Sequence, residues 1–168
     1  TLDQRNKVLF SMVHSQKRDL LFKWVGPIAQ KRYSLYAKKG FTEKIETLED
    51  AKKFTIGVQR EGFTEQYLEL RGFKNLQKNN NFTQNVRMLF KERFKLIFDS
   101  YSTFSKTVNQ YQMNKKDFVE VLRVQTSLIY IAFNKDIPDE TITLWQNAYN
   151  ELYESGVIEK IFKHHDSH

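Results

Sequence analysis

The alternation of apolar and polar positions divides the chain into short segments. Val8–Val13 (VLFSMV) is an apolar, β-prone run that predicts a buried strand, and the polar residues 14–19 (HSQKRD) predict a loop after it. Residues 20–28 are apolar again and are stopped by Gly26-Pro27, while residues 33–37 alternate weakly and predict an extended segment. Thr47-Leu-Glu-Asp50 places an acid three residues after a hydroxyl, a capping-box-like start for a helix near residues 48–53. Residues 54–58 (FTIGV) predict a strand, residues 62–70 (GFTEQYLEL) a helix ending at Gly72, residues 75–77 a short strand and residues 79–81 a loop. Phe82, Val86, Leu89 and Phe90 form a helical stripe, residues 96–98 (LIF) a strand, and Ser102 a cap for the helix that follows. Strand and helix in alternation suggest βαβ units and a mainly parallel sheet. Later come two β-prone runs, residues 118–124 and 128–133. Pro138 is predicted at a first helical position, with Asp139 and Glu140 beside the positive end of the dipole. Ile142, Trp145, Tyr149 and Leu152 give that helix an apolar face, Gly156 interrupts it, and residues 157–162 start another.

Composition narrows the class. At 168 residues the chain suits one domain or two small lobes, and 40% hydrophobic with 28% charged residues excludes a disordered chain. The 14 Phe, 8 Tyr and 2 Trp supply bulk for a core. No apolar run approaches the roughly 18 residues of a membrane span. The absence of Cys excludes a disulfide scaffold, a Cys-ligated zinc and a thiol nucleophile. No basic-then-apolar leader opens the chain, so any signal peptide lies upstream of Thr1 or never existed. The net charge is +7, and residues 1–100 hold 20 Lys and Arg against 11 Asp and Glu. These cations come singly or in pairs, which fits a basic surface around an anion-binding cleft better than nucleic acid.

Several residues then carry candidate chemistry. Gly57, Gly62 and Thr64 have the spacing of a phosphate-binding loop, but Phe63 stands where that loop needs its Lys, which excludes nucleotide hydrolysis. What remains is either a tight strand-to-helix turn or a Gly-led helix start whose Thr64 hydroxyl suits a carboxylate. Ser11, Ser15 and Arg18, at a strand end and in its loop, combine hydroxyl donors with a guanidinium fork, though a surface Arg is commonly just solvated. Trp24 reads as core or as a ligand-stacking wall, and Trp145 with Tyr149 as core. Asp99 follows a predicted strand, where open α/β sheets place ligand contacts, or else begins a helix. His14 has no convincing Ser or Asp partner in sequence, and the terminal HHDSH reads as a chain-end tail. No nucleophile elbow, paired-carboxylate or metal-ligand motif is present, so no catalytic residue, metal ligand or cofactor is expected.

The order of motifs resembles a family. Phe10-Ser-Met-Val-His-Ser-Gln-Lys-Arg18 and then Phe22-Lys-Trp-Val-Gly-Pro27 resemble the "S/T-x-x-R, then F-x-x-x-x-P" passage of bacterial extracellular solute-binding proteins of the amino-acid type, which serve ABC importers. Thr47-Leu-Glu-Asp-Ala-Lys52, Ile56-Gly-Val58, Glu65-Gln-Tyr-Leu68, Met88-Leu-Phe-Lys-Glu-Arg93 with Leu96-Ile-Phe-Asp99, and Tyr130-Ile-Ala-Phe133 with Pro138 and Gly156 follow in the family's order.

The resemblance implies an α/β, two-lobed fold of the type II periplasmic-binding-protein kind, with residues 1–29 and 127–168 as a partial lobe 1 and residues 30–126 as a complete lobe 2. It implies Ser11 and Arg18 on the α-carboxylate of a ligand, Thr64 or the backbone near Gly62 completing that grip, and Asp99 or Ser100 at its α-amino group. Ser15 and Trp24 would line the same site. Val13 departs from the Ser or Thr often found there, removing one hydrogen bond. Family members carry two strands and two helices before the point matching Thr1, so the chain is expected to be a fragment lacking its first third, to bind weakly or not at all, and to self-associate through the incomplete lobe. Further implied are a non-enzymatic role in the periplasm or outside the cell, a small polar ligand, a membrane permease as partner and hinge closure on the ligand. A ligand-sensing domain of a membrane signalling receptor is the alternative.

Overall fold

The computed structural model describes residues 7–14 and 16–166. Its elements are β1 (Val8–Val13), α1 (Gln16–Asp19), β2 (Phe22–Lys38), β3 (Ile56–Gln59), α2 (Phe63–Glu69), β4 (Leu76–Asn79), α3 (Phe82–Phe90), β5 (Leu96–Ser100), α4 (Tyr101–Gln110), β6 (Phe118–Asn134), α5 (Asp139–Glu154) and α6 (Val157–Asp166). Short 3-10 turns occupy Glu49–Lys53 and Lys115–Asp117. Among the described residues no helix is long and apolar enough to cross a membrane. The chain divides into two compact units, Thr1–Gln30 with Ser127–His168, and Lys31–Thr126.

In the first unit β1 pairs antiparallel with β6, Val8 opposite Phe133 and Val13 opposite Ile129, and β6 neighbours β2. A bulge breaks the register between Leu9 and Met12. There Ser11 takes a left-handed φ of 62°, and Phe10 and Ser11 are exposed. The strand expected to be buried is therefore an edge strand. Gly26-Pro27 does not stop β2: Pro27 has no N–H to pair, Gly26 gives its N–H to the Gln146 side chain, and the strand continues. Val25, Ile131, Phe133 and Ile137 form the core here, with Ile142 and Tyr149 of α5 packed against it. Pro138 precedes α5 as its cap residue rather than opening the helix, while Asp139 and Glu140 occupy the first turn as the charge pattern predicts. Trp145 touches Phe133 edge-on yet stays 44% exposed, so it is half core and half surface.

In the second unit β2 runs antiparallel to β5, with Tyr33 opposite Ser100 and Ser34 opposite Asp99. β3 pairs parallel with both β5 and β4, and β4 is the edge strand. The sheet is thus mixed, not mainly parallel. β2 and β6 are long strands: residues 22–38 and 118–134 each run on where the sequence suggested a break. Val86 and Leu89 of the α3 stripe join Tyr36, Phe94, Ile97, Phe104 and Val108 in the core, whereas Phe90 is 40% exposed. Tyr36 and Phe104 stack at 4.1 Å. The box at Thr47 works from its far end: the Asp50 carboxylate accepts the Thr47 N–H (2.8 Å), its hydroxyl (2.9 Å) and the Glu46 N–H (3.1 Å), which holds the Asp50 pKa below the usual range. Only a 3-10 turn follows it.

Candidate functional site

In the first unit the candidates gather around the turn after β1. The segment 14–19 is not wholly loop, since Gln16–Asp19 closes one helical turn. That turn carries Arg18, whose guanidinium donates to the Val13 carbonyl at 3.0 Å and ties the turn to the strand end. Ser11 sits on the bulge with its side chain exposed. Ser15 lies outside the described residues.

Trp24 of β2 is half-buried, and its indole N–H donates to Asp19 at 2.9 Å. The same Asp19 oxygen lies 2.7 Å from His14 Nε2. The His14 ring meets Trp24 edge-on at 4.9 Å and Tyr130 at 5.5 Å, and Phe22 meets Trp24 at 5.8 Å. So His14 does have an acidic partner, and Trp24 belongs to an aromatic group pinned by one carboxylate. The five-residue step from His14 to Asp19 gave no sign of this, because only the helical turn folds the acid back onto the imidazole.

In the second unit two places were singled out, the start of α2 and the end of β5. Gly62 precedes α2, and a Cβ there would sit 2.9 Å from the Gln59 carbonyl oxygen, so the tight turn requires glycine. Phe63, at the position of the missing Lys, packs on Tyr33 at 4.8 Å and Tyr67 at 5.6 Å, an apolar role. Thr64 is buried in the first turn. The turn is not purely a set of waiting donors, however. Glu65 reaches back to accept the Glu61 N–H and pairs with Lys78 at 2.7 Å. Burial pushes the Glu65 carboxyl up, but the hydrogen bonds from Lys78 and Glu61 and the charges of Lys78 and Arg60 outweigh it and hold the pKa below the usual range. Glu65 and Lys78 were missed by sequence reasoning; their meeting depends on the register of β4 beside β3.

Asp99 and Ser100 close β5. Asp99 is buried, and burial pushes its carboxyl up to about 6, against the opposing pull of the Ser100 N–H, the Thr103 and Ser100 hydroxyls and the Lys31 charge. The Ser100 N–H donates to Asp99 Oδ1 at 2.6 Å. Among the described residues Asp99 has no ion-pair partner. Ser100, not Ser102, caps α4: its hydroxyl accepts the Thr103 N–H at 3.3 Å and meets the Thr103 hydroxyl at 2.9 Å. Its side chain is thus engaged by the helix, whereas Asp99 is a buried carboxylate at the carboxyl end of a central strand, lacking a cation. Among the described residues no group of acids and histidines that could hold a metal ion is found.

Neither a family model nor a curated protein sequence matches the chain. Solved structures do match. A histidine kinase sensor domain with similarity to periplasmic binding proteins is 18% identical, with a TM-score of 0.83 over 93% of this chain and 68% of that one. An ancestral arginine-binding protein bound to arginine is 21% identical, with a TM-score of 0.75 over 90% of this chain and 67% of that one. A protein of Wolinella succinogenes, assigned as the binding component of an ABC transporter and complexed with lysine, is 18% identical, with a TM-score of 0.76 over 92% and 66%. The fold is that of the periplasmic binding proteins, and the chain spans about two thirds of the length of these structures.

Proposed function

We propose that the chain is the solute-binding component of an ABC importer, acting in the periplasm or outside the cell on a small polar solute, an amino acid. Its two units are proposed as the lobes, and no catalysis is assigned to them. Ser11 and Arg18 would hold the carboxylate from the first unit, with Trp24 as a wall. Thr64 and the Gly62 turn would complete the grip from the second. Asp99 would meet the ammonium.

The observation that carries this reading is the state of Asp99. A carboxylate kept out of water with no partner cation is costly as an anion, and a ligand ammonium would supply the missing charge. The likeness to folds solved with arginine and lysine supports the same class of ligand. One observation favours the second reading, a ligand-sensing domain of a membrane receptor: the likeness to a kinase sensor domain. A permease partner belongs only to the first. Apolar side chains exposed by the first unit, Leu144 and Tyr153 among them, suit self-association, which sedimentation at rising concentration tests.

The ligand reading is tested with 15N-labelled protein and a panel of L-amino acids at millimolar concentration. Shifts at the amides of Thr64 and Ser100 are expected, lost in Asp99→Asn and Arg18→Gln. A panel that moves neither amide would defeat it.

A further inference from the structure

The second unit carries a basic groove apart from the ligand candidates. Between Glu69 and Glu92 the chain holds Arg71, Lys74, Lys78, Arg87 and Lys91 and no Asp or Glu. β4 and α3 both lie in this stretch. Gln84, Arg87, Met88 and Lys91 fall on one face of α3 and its C-terminal extension, by their spacing of three and four. With Asn79 of β4 and Arg93 they line a groove of about 660 Å³.

The charges in this groove have no counterpart. Arg87, Lys91 and Arg93 are exposed, and none of them forms an ion pair among the described residues. Lys78 is different. Strand alternation turns it to the α2 side, where Glu65 and Glu69 hold it at 2.7 and 2.5 Å. Glu92, the next acid along the chain, is already paired with Lys38 at 2.6 Å.

The groove runs beside an open sheet edge. The Asn75 and Asn79 carbonyls accept the amides of Ile56 and Arg60, so the odd-numbered residues of β4 face β3. Leu76 and Lys78 therefore present their backbone groups outward. The Arg60 side chain reaches the Lys78 carbonyl at 3.2 Å, leaving the Leu76 N–H and C=O and the Lys78 N–H for an incoming strand.

We propose that this edge docks an extended acidic segment of a partner protein, which adds as a strand to β4 and lays its carboxylates along Arg87, Lys91 and Arg93. The spacing fits. Alternate side chains of an extended chain repeat about every 6.7 Å, and four residues of helix advance about 6 Å, the axial step from Arg87 to Lys91. The backbone edge supplies affinity and the cations supply specificity for acids at every second position. A lipid surface would use the cations but leave the strand edge unpaired. This surface is independent of the ligand reading above.

The test is fluorescence anisotropy of a labelled Glu-Thr repeat peptide titrated with the full chain, beside a Lys-Thr repeat. Binding of the acidic peptide alone is expected, weakening as NaCl rises. The charge reversal R87E/K91E/R93E should weaken it at least tenfold, and K115E/K116E, elsewhere in the unit, should not. Bound peptide should slow hydrogen exchange at the Leu76 and Lys78 amides. Far-UV melts check the variants, and R87Q/K91Q/R93Q replaces the reversal if that unfolds. No binding, equal binding to the triple variant, or unchanged exchange at Leu76 and Lys78 overturns the proposal. So does capture by phosphatidylglycerol vesicles without peptide binding.

Discussion

Replacing Asp99 with Asn tests the electrostatics of the second unit directly. The carboxyl rises from 3.8 to about 6 because burial penalises its charged form. A group whose native pKa is raised favours the fold while protonated, and that advantage is lost as pH climbs through the native value. Wild-type protein therefore gives up stability between about pH 4 and pH 8, by up to about 3 kcal/mol for a shift of roughly two units. Asn is neutral throughout, and its Oδ1 can still accept the Ser100 N–H that Asp99 accepts at 2.6 Å. The two proteins should match near pH 4, and Asp99→Asn should be the more stable at pH 8. Urea titrations of both at the two pH values measure the difference, in which every other titrating group cancels. The melting temperature should move by several degrees in the same sense, at about 2–4 °C per kcal/mol for a chain this size. A difference that stays flat with pH, or a variant less stable at pH 8, refutes the reasoning. The same variant should lose any ammonium-bearing ligand, so a gain in apo stability with a loss of binding would mark Asp99 as a residue held for function.

Other outcomes follow from single contacts. Gly57→Ala places a Cβ 2.5 Å from the Phe94 ring and 2.9 Å from Asn85 Oδ1, and should cost about 1–3 kcal/mol in urea unfolding with an unchanged m-value. Trp24→Phe removes the N–H donated to Asp19 and should cost about 1 kcal/mol, read by the melt of the first unit, with Trp145 left as a fluorescence reporter. Glu65 has a lowered pKa, so its contribution is present above its ordinary value of 4.5 and lost as pH falls; Glu65→Gln should unfold with less acid sensitivity than wild type.

Much of the fold was legible because local chemistry decides it. Apolar, β-prone runs marked β3, β5 and pieces of the two long strands, and Phe82, Val86 and Leu89 of the α3 stripe are buried as their spacing required, while Phe90 at its end is not. The stops were less legible. Gly26-Pro27 interrupts a strand only when the ladder needs that N–H, and here Gln146 takes up the Gly26 amide instead. Ser100 and Ser102 are equivalent caps in sequence; the choice of Ser100 follows from where β5 releases the chain.

The sequence by itself determined the types of most elements, the buried face of α3, the charge excess and the exclusion of thiol and P-loop chemistry. These depend on residue identity and on spacing within a few positions. Only the tertiary structure decided the mixed sheet, the pairing of His14 with Asp19, the burial that raises Asp99 and the unpaired cations beside β4. Each needs residues brought together by strand register or by a turn, and a pKa or an open edge exists only once neighbours have displaced water or failed to arrive.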